Sequence, residues 1–292
     1  MLAVTGITGH TGTFFLNQLM QNKYEGKIKC LVRSAERAAY LNNSGLNIEL
    51  IEGDLDNEES IRKLLTDATV VVHIANIHYS PRILKIGYAC GVQRFVLVHT
   101  TGIYSKHKVA SESYIRIENE IIPLLKSHNI TILRPTMIFG DMKDHNISKF
   151  IRLVDRIPLL PVVSGGNALI QPVNARDLGR ALYQVLYNEN TFGKAYDLSG
   201  QRALSIKQLY LLIAAILGKK RMIISFPEKI CVWIAKILRV VSAGKVDLVE
   251  KVQRMGENRS YSHQDAMRDF DYSPELFETG LSREVREYLS SR

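Results

Sequence analysis

Short apolar runs alternate with longer amphipathic segments through the first 135 residues. Leu2-Ala3-Val4 predicts a strand, and the segment from Thr13 to about Gln21 an amphipathic helix. Ile28–Val32 reads as a buried strand, Ala35–Leu41 as a short helix and Ile48–Ile51 as a third strand. The acidic run Asp56-Asn57-Glu58-Glu59-Ser60 suits the positive end of a helix dipole and predicts a helix start before Ile61–Leu65, with Asp56 as a capping candidate. Val70–Ile74 is an apolar, β-branched fourth strand, followed by a helix over about Pro81–Cys90 and a fifth strand at Phe95–His99. A long helix over Lys108–Ser127 then leads to a sixth strand, Ile130–Leu133, closed by Arg134-Pro135. Strands alternating with helices predict an α/β fold with a parallel, doubly wound sheet and right-handed crossovers.

Beyond Pro135 the rhythm changes. Residues 136–166 are irregular and rich in Pro, Gly and Asp. A helix to about Tyr187 starts within Ile170–Leu178, and Ala195–Leu198 reads as a last strand. The remainder is mostly helical: Ser205–Leu217, Pro227–Val241, Val246–Met255 and a tail at Leu281–Leu289. The expected organisation is therefore discontinuous, with residues 1–135 and about 167–200 in one domain. Residues 136–166 and 201–292 would form a smaller, mostly helical domain. Between Pro227 and Val241 a broad apolar face (Ile230, Trp233, Ile234, Ile237, Leu238, Val241) stands beside Lys229, Lys236 and Arg239, and is expected to face a core of the substrate-side domain, with a membrane-surface helix as the less favoured alternative.

The chemistry begins in the first turn, Thr5-Gly6-Ile7-Thr8-Gly9-His10-Thr11-Gly12, between the first strand and its helix. Strand, glycine turn, helix is the setting of a dinucleotide fingerprint. One glycine lets the chain leave the strand, one lets backbone N–H groups approach a diphosphate, and one lets helix and strand pack closely. The helix dipole then favours the anion. This motif resembles the extended and atypical short-chain dehydrogenase/reductases, a family that includes nucleotide-sugar epimerases. The segment Pro172-Val173-Asn174-Ala175-Arg176-Asp177-Leu178 is similar to a later family motif, so the likeness covers nearly the whole chain. It implies a Rossmann-type fold with a C-terminal substrate-side domain, and a cofactor held by Gly6, Thr8, Gly9, His10, Thr11 and Gly12.

Cofactor choice is expected at the end of the second strand, where Arg33, Ser34 and Arg37 offer two guanidiniums and a hydroxyl, and no carboxylate occurs until Glu36. That set favours a 2′-phosphate, hence NADP(H) over NAD(H). The resemblance places Asp54 and Leu55 at the adenine and Ala75 and Asn76 along the ribose channel.

Family enzymes pair a Ser or Thr with Tyr-x-x-x-Lys, whose lysine holds the nicotinamide ribose and lowers the tyrosine's pKa. Two tyrosines compete for the role. Tyr104 and Lys108 form a literal match, but with 13 tyrosines in the chain about one chance match is expected. Tyr104 also falls only three residues after Thr101, where the family often carries a non-catalytic Tyr. Tyr114 lies thirteen residues after Thr101, inside the long helix, which is the family interval. Thr101 and Tyr114 are therefore the catalytic candidates, with Glu118 where lysine should be and Lys108 a possible substitute. Ser111, Tyr114, Ile115, Glu118 and Ile122 are spaced as one inward stripe.

The formal charge of +9 fits anionic ligands, and the basic residues are scattered, with Lys219-Lys220-Arg221 as the run of three. No nucleic-acid-binding signature accompanies them. Cys30, Cys90 and Cys231 show no paired spacing, no His/Cys/Asp grouping has metal-ligand spacing, and no apolar stretch reaches spanning length. An immediate first strand leaves no room for a signal peptide. The expectation is a cytoplasmic protein with no metal, no membrane and no nucleic-acid partner, with a homodimer as the candidate assembly. It would be an NADP(H)-binding oxidoreductase or epimerase-like enzyme acting on a small-molecule hydroxyl or carbonyl substrate, with a nucleotide-sugar as one candidate. The alternative, motivated by Glu118, is a non-catalytic NADP(H)-binding sensor, assembly factor or regulator.

Overall fold

A computed structural model of the chain describes residues 1–242 and 248–291, apart from the side chains of residues 108–110 and 251. The N-terminal part runs β1 (Leu2–Thr5), α1 (His10–Gln21), β2 (Ile28–Val32), α2 (Ala35–Ala38), β3 (Ile48–Glu52) and α3 (Glu58–Leu65). It continues through β4 (Val70–His73), α4 (Ser80–Ala89), β5 (Arg94–Val98), α5 (Lys108–Ile121) and β6 (Ile130–Pro135). Next come β7 (Ile138–Phe139), α6 (Ile147–Arg156), β8 (Leu159–Val163), β9 (Leu169–Ile170), β10 (Val173–Asn174), α7 (Ala175–Val185) and β11 (Lys194–Leu198). The C-terminal part holds β12 (Leu204–Ser205), α8 (Ile206–Ile216), β13 (Met222–Phe226), α9 (Glu228–Val241) and α10 (Val249–Met255). Two helices, α11 (Gln264–Phe270) and α12 (Phe277–Ser290), close the chain.

Seven strands make one sheet in the order β11-β6-β5-β4-β1-β2-β3, and every pairing is parallel. The expected α/β, doubly wound Rossmann-type sheet is therefore what the chain forms. Phe15 and Leu19 of α1, Leu178 and Leu182 of α7 and Phe270 of α11 fill one apolar cluster against it. A second cluster holds Ile61 and Leu64 of α3, Ile83 and Leu84 of α4, and Ile121 of α5. Burial on both sides explains why these strands read as continuous apolar runs. A third cluster joins α6, α8, α12 and β8 through Ile151, Leu209, Leu281 and Leu160.

Several elements differ from the sequence reading. Helix α1 begins at His10, because the Thr13 N–H already bonds the Gly9 carbonyl and the glycine loop itself forms the first turn. Asn57, not Asp56, caps α3, accepting the Glu59 N–H at 2.8 Å. Helix α5 stops at Ile121 rather than Ser127, since Pro123 cannot continue the ladder, and one 3-10 turn follows. The irregular stretch contains β7, α6 and β8; α6 buries Ile147, Ile151 and Val154 at helical spacing. Strand β13 and helix α11 had no counterpart in the pattern. The predicted helix from Val246 begins in residues 243–247, outside the described residues, and α10 is helical from Val249. Helix α9 forms where expected but does not face a core: Ala235 is its buried residue, and Trp233 is 64% exposed.

Candidate dinucleotide and substrate site

Because all seven strands run the same way, the loops after their carboxyl ends share one edge of the sheet. The order reverses between β1 and β4, and the crevice of such a sheet opens there. Gly6 leaves β1 with φ +76°, and a Cβ on it would lie 2.8 Å from the Ala75 nitrogen beyond β4. On Gly12 a Cβ would stand 2.1 Å from the Gly6 carbonyl oxygen. These contacts are the tight exit and the close helix–strand approach that the motif demands. Gly9 occupies the N-cap with no side-chain cap, and Thr8 and Gly9 are exposed. The start of α1 is thus a backbone-lined cradle of the kind that binds a diphosphate. Thr11 is buried beneath it. His10 is turned aside: its Nε2 lies 3.3 Å from Asp141 and its ring meets Phe14 edge-on.

His73 ties β1 to β4 at this edge. It is fully buried, sharing a 2.6 Å hydrogen bond with the Thr5 hydroxyl and a 3.1 Å bond with the Asn76 carbonyl. Burial pushes its pKa down to about 4, so the ring is a neutral spacer. Asn76 uses its side-chain oxygen on the His78 N–H and ring.

At the ends of β2 and β3 a cavity of about 540 Å³ is lined by Arg33, Glu52, Gly53, Asp54 and Lys63, among others. Arg33 is exposed into it, whereas Ser34 caps α2 by accepting the Arg37 N–H at 3.3 Å. Asp54 accepts the Asp56 N–H at 2.9 Å, and Leu55 offers its carbonyl to Arg82. The sequence reading placed no carboxylate here before Glu36. The sheet brings one: Glu52 pairs in register with Val32 and accepts the Ala35 N–H at 2.9 Å. Its only signal in the sequence was an acidic residue directly after the apolar pair Leu50-Ile51.

At the ends of β5, β6 and β11 the edge is made of side chains. Thr101 is buried, and its hydroxyl donates to the Pro135 carbonyl at 3.2 Å. Tyr114 is half-buried; its ring packs on His78 beyond β4, and its Cδ2 would lie 3.5 Å from a Cβ on Gly102 beyond β5. Tyr104 instead reaches across β6 and β11, donating to Asp197 at 3.1 Å and accepting from Arg134 at 3.3 Å. Burial, opposed by Arg134 and reinforced by Asp197, pushes that phenol up to about 12. A proton donor needs the opposite shift. The Lys108 side chain lies outside the described residues.

Glu118 is 2% exposed and sealed. Arg134 donates to both its oxygens, from Nε at 2.9 and 3.0 Å and from Nη2 at 2.5 Å, and the His99 ring lies 3.0 Å away. Burial pushes its carboxyl pKa up, but the bonds with His99 and Arg134 outweigh this and hold it below the usual range. The inward stripe is thus Ser111, Glu118 and Ile121, with Tyr114 at its margin; Ile115 and Ile122 are exposed, at 38% and 45%. Three- and four-residue spacing alone did not resolve which side of the stripe met the sheet.

Beyond Thr100, Thr101 and Gly102 opens a second cavity of about 280 Å³, reaching Gln171, Arg254, Glu257, Arg259 and Tyr261. Glu257 closes its rim by accepting from the Ser105 hydroxyl at 3.0 Å and the Lys106 N–H at 2.7 Å. The buried Nε atoms of Arg254 and Arg259 have no hydrogen-bond partner among the described residues. Burial first, then the neighbouring Arg254, lowers the pKa of Arg259. Two half-buried guanidiniums in one cavity suit an anion. Nothing in the sequence marked these residues, which reach the site from α10 and the loop after it. Among the described residues no group of three or more His, Cys, Asp or Glu could hold a metal, and no helix is long and apolar enough to cross a membrane.

Residues 6–149 match the NAD(P)H-binding family. The chain is similar to the mitochondrial NADH dehydrogenase (ubiquinone) 1 alpha subcomplex subunit 9 of Dictyostelium discoideum, 26% identical over 68% of this chain and 58% of that protein. It is also similar to a ceramide reductase of Caulobacter vibrioides, 24% identical over 56% of this chain and 54% of that protein. The chain spans less than three fifths of the length of these two relatives. Among solved structures, the triphenylmethane reductase of Citrobacter sp. in complex with NADP(H) shares the fold: TM-score 0.76, 18% identity, 97% of this chain and 99% of that one.

Proposed function

We propose that this chain, whose residues 6–149 match the NAD(P)H-binding family, is an NADP(H)-preferring oxidoreductase or epimerase-like protein of the short-chain dehydrogenase/reductase type. Its substrate would be a hydroxyl or carbonyl compound carrying an anionic group, of which a nucleotide-sugar is one example. The observation that carries this reading is the cavity joining Thr100–Gly102 to Arg254 and Arg259. A protein that only senses the dinucleotide has no need of a second polar cavity beside the nicotinamide end. When bound, the cofactor supplies or accepts hydride. We assign the exchange of the accompanying proton to the hydroxyl of Tyr114, a reading supported by its ring lying against His78 and near Gly102. Arg33 supports the choice of NADP(H), because it faces the cavity at the end of β2. The three free cysteines support a reducing, cytoplasmic setting.

Glu118 favours a second reading. With Arg134 bonded to both its oxygens, no lysine-like charge stands at that position to lower the Tyr114 pKa. A non-catalytic NADP(H)-binding sensor, assembly factor or regulator would fit, and the Dictyostelium relative is named as a subunit of a larger complex. NADPH consumption measured with phosphorylated or carboxylated carbonyl compounds, beside their neutral analogues, separates the two. Turnover on the anionic set, reduced by roughly 10²–10⁴ in Tyr114→Phe and little changed in Tyr104→Phe, supports the enzyme. Tight NADPH binding with no turnover across the set supports the regulator.

A further inference from the structure

Helix α9 and strand β13 carry an apolar surface that no part of the described chain covers. On α9, Ile230, Trp233, Ile234, Ile237, Leu238 and Val241 lie along one face, each between 40% and 79% exposed. The opposite side, through Ala235, is the one packed against the protein. Strand β13, which ends just before α9 in the chain, carries exposed apolar side chains of its own. Its Met222, Ile224 and Phe226 are 68%, 37% and 40% exposed, while Ile223, between them, packs into the third cluster. Isolated exposed apolar side chains need no explanation, but six of them along one helix face mark an interaction surface.

The charges around the patch say what covers it. Lys229 and Lys236, seven residues apart, project on the same side of the helix and border the apolar face at its Trp233 margin. Lys220, exposed, precedes β13. The sequence from Lys229 to Val246 contains no carboxylate, and the whole chain carries +9. Lysines flanking an apolar stripe with a tryptophan at its edge suit a helix lying in a lipid interface, its ammonium groups reaching up to anionic headgroups. A second copy would instead bring the same cations face to face. We propose that α9 and β13 dock this protein on the surface of an anionic lipid bilayer, with α9 parallel to the membrane plane. This reverses the expectation that the helix faces a core, and it stands apart from the function proposed above.

Trp233 is the single tryptophan, so its fluorescence reports the docked face directly. The folded chain is mixed with vesicles of phosphatidylcholine alone or of phosphatidylcholine with about one third phosphatidylglycerol, a composition chosen to carry net negative charge. Flotation with the anionic vesicles, a blue shift of Trp233 emission and release by added salt are the expected results. Ile230→Ser with Ile237→Ser should weaken partitioning by roughly tenfold or more, and Lys229→Glu with Lys236→Glu by a similar factor. Because these positions are exposed, both double variants should keep NADPH binding, which verifies that they fold. Absence of flotation and blue shift overturns the proposal, as does equal binding to neutral vesicles. So does a blue Trp233 emission without lipid that reddens on dilution as a dimer dissociates in sedimentation, since a second copy would then own the surface.

Discussion

Where β1 meets β4, the site is made of backbone: Gly6 and Gly12 approach their neighbours too closely for any Cβ, and Gly9 leaves the start of α1 open. Two strands away, where β6 and β11 end, the same edge is made of charged side chains, with Glu118, Arg134, His99, Asp197 and Tyr104 bonded to one another. The first region offers N–H groups that any diphosphate can use. The second offers a particular set of charges already satisfied among themselves. A backbone site follows from the path of the chain and tolerates most changes around it. A side-chain site changes its chemistry with a single residue, and Glu118, where the family resemblance expects a lysine, would be such a change.

The sharpest way to break the comparison is Glu118→Lys. In an ordinary short-chain dehydrogenase/reductase site the lysine would restore the proton relay. Here it would bury a second cation against Arg134 while removing that guanidinium's partner. A loss of about 5 kcal/mol in unfolding free energy is expected, read by denaturant titration. A stable, more active variant would show that the side-chain half is as permissive as the backbone half.

Gly12→Ala tests the other half. Its methyl would meet the backbone of Gly6 and Ile7, at 2.1 and 2.6 Å, where no flexible side chain can yield. A loss of about 3 kcal/mol is expected, together with a collapse of NADPH affinity measured by calorimetry. Retained affinity would mean that the cradle relaxes.

Arg33→Ala sharpens the comparison, because it removes a side chain from the mainly backbone half. The NADPH affinity should fall by about 2 kcal/mol with NADH little changed. Glu52→Gln, which removes the nearby carboxylate, should move the preference further toward NADPH. Equal affinities for both dinucleotides in the unmodified protein would sink the role of Arg33.

The smallest effect is in acid. Folding lowers the pKa of His73 from its ordinary 6.5 to about 4, so protons bind the unfolded chain more readily. Its contribution is present above pH 6.5 and shrinks as pH falls toward 4. Between pH 7 and 5.5 the loss should be about 1 kcal/mol relative to His73→Gln. Glu118, whose pKa is held below its ordinary 4.5, keeps its contribution through that window and loses it only at lower pH. A chain whose stability does not move between pH 7 and 5.5, relative to the variant, would place His73 in a wetter setting.

Local features were legible because their causes are local. The glycine turn, the apolar strands and the acidic start of α3 each follow from a few consecutive residues, and the seven-stranded parallel sheet follows from their alternation. Arg33 at the end of β2 and Tyr114 on α5 were placed by counting along the chain. Strand β13 and helix α11 were missed because their patterns are short. Helix α9 was misread because amphipathicity shows that a face is apolar but not what covers it.

What the sequence determined by itself is the path of the backbone: strand, turn and helix in order, and with them the dinucleotide cradle, because steric limits on φ and ψ act within a few residues. Only the tertiary structure decided which charges meet. Glu52 stands beside Arg33 because β3 runs in register with β2, and Arg134 closes on Glu118 from sixteen residues away. Arg254 and Arg259 reach a cavity that begins at Thr100, more than 150 positions earlier. Such encounters depend on packing between distant segments, and a charged side chain's chemistry is set by its neighbours in space.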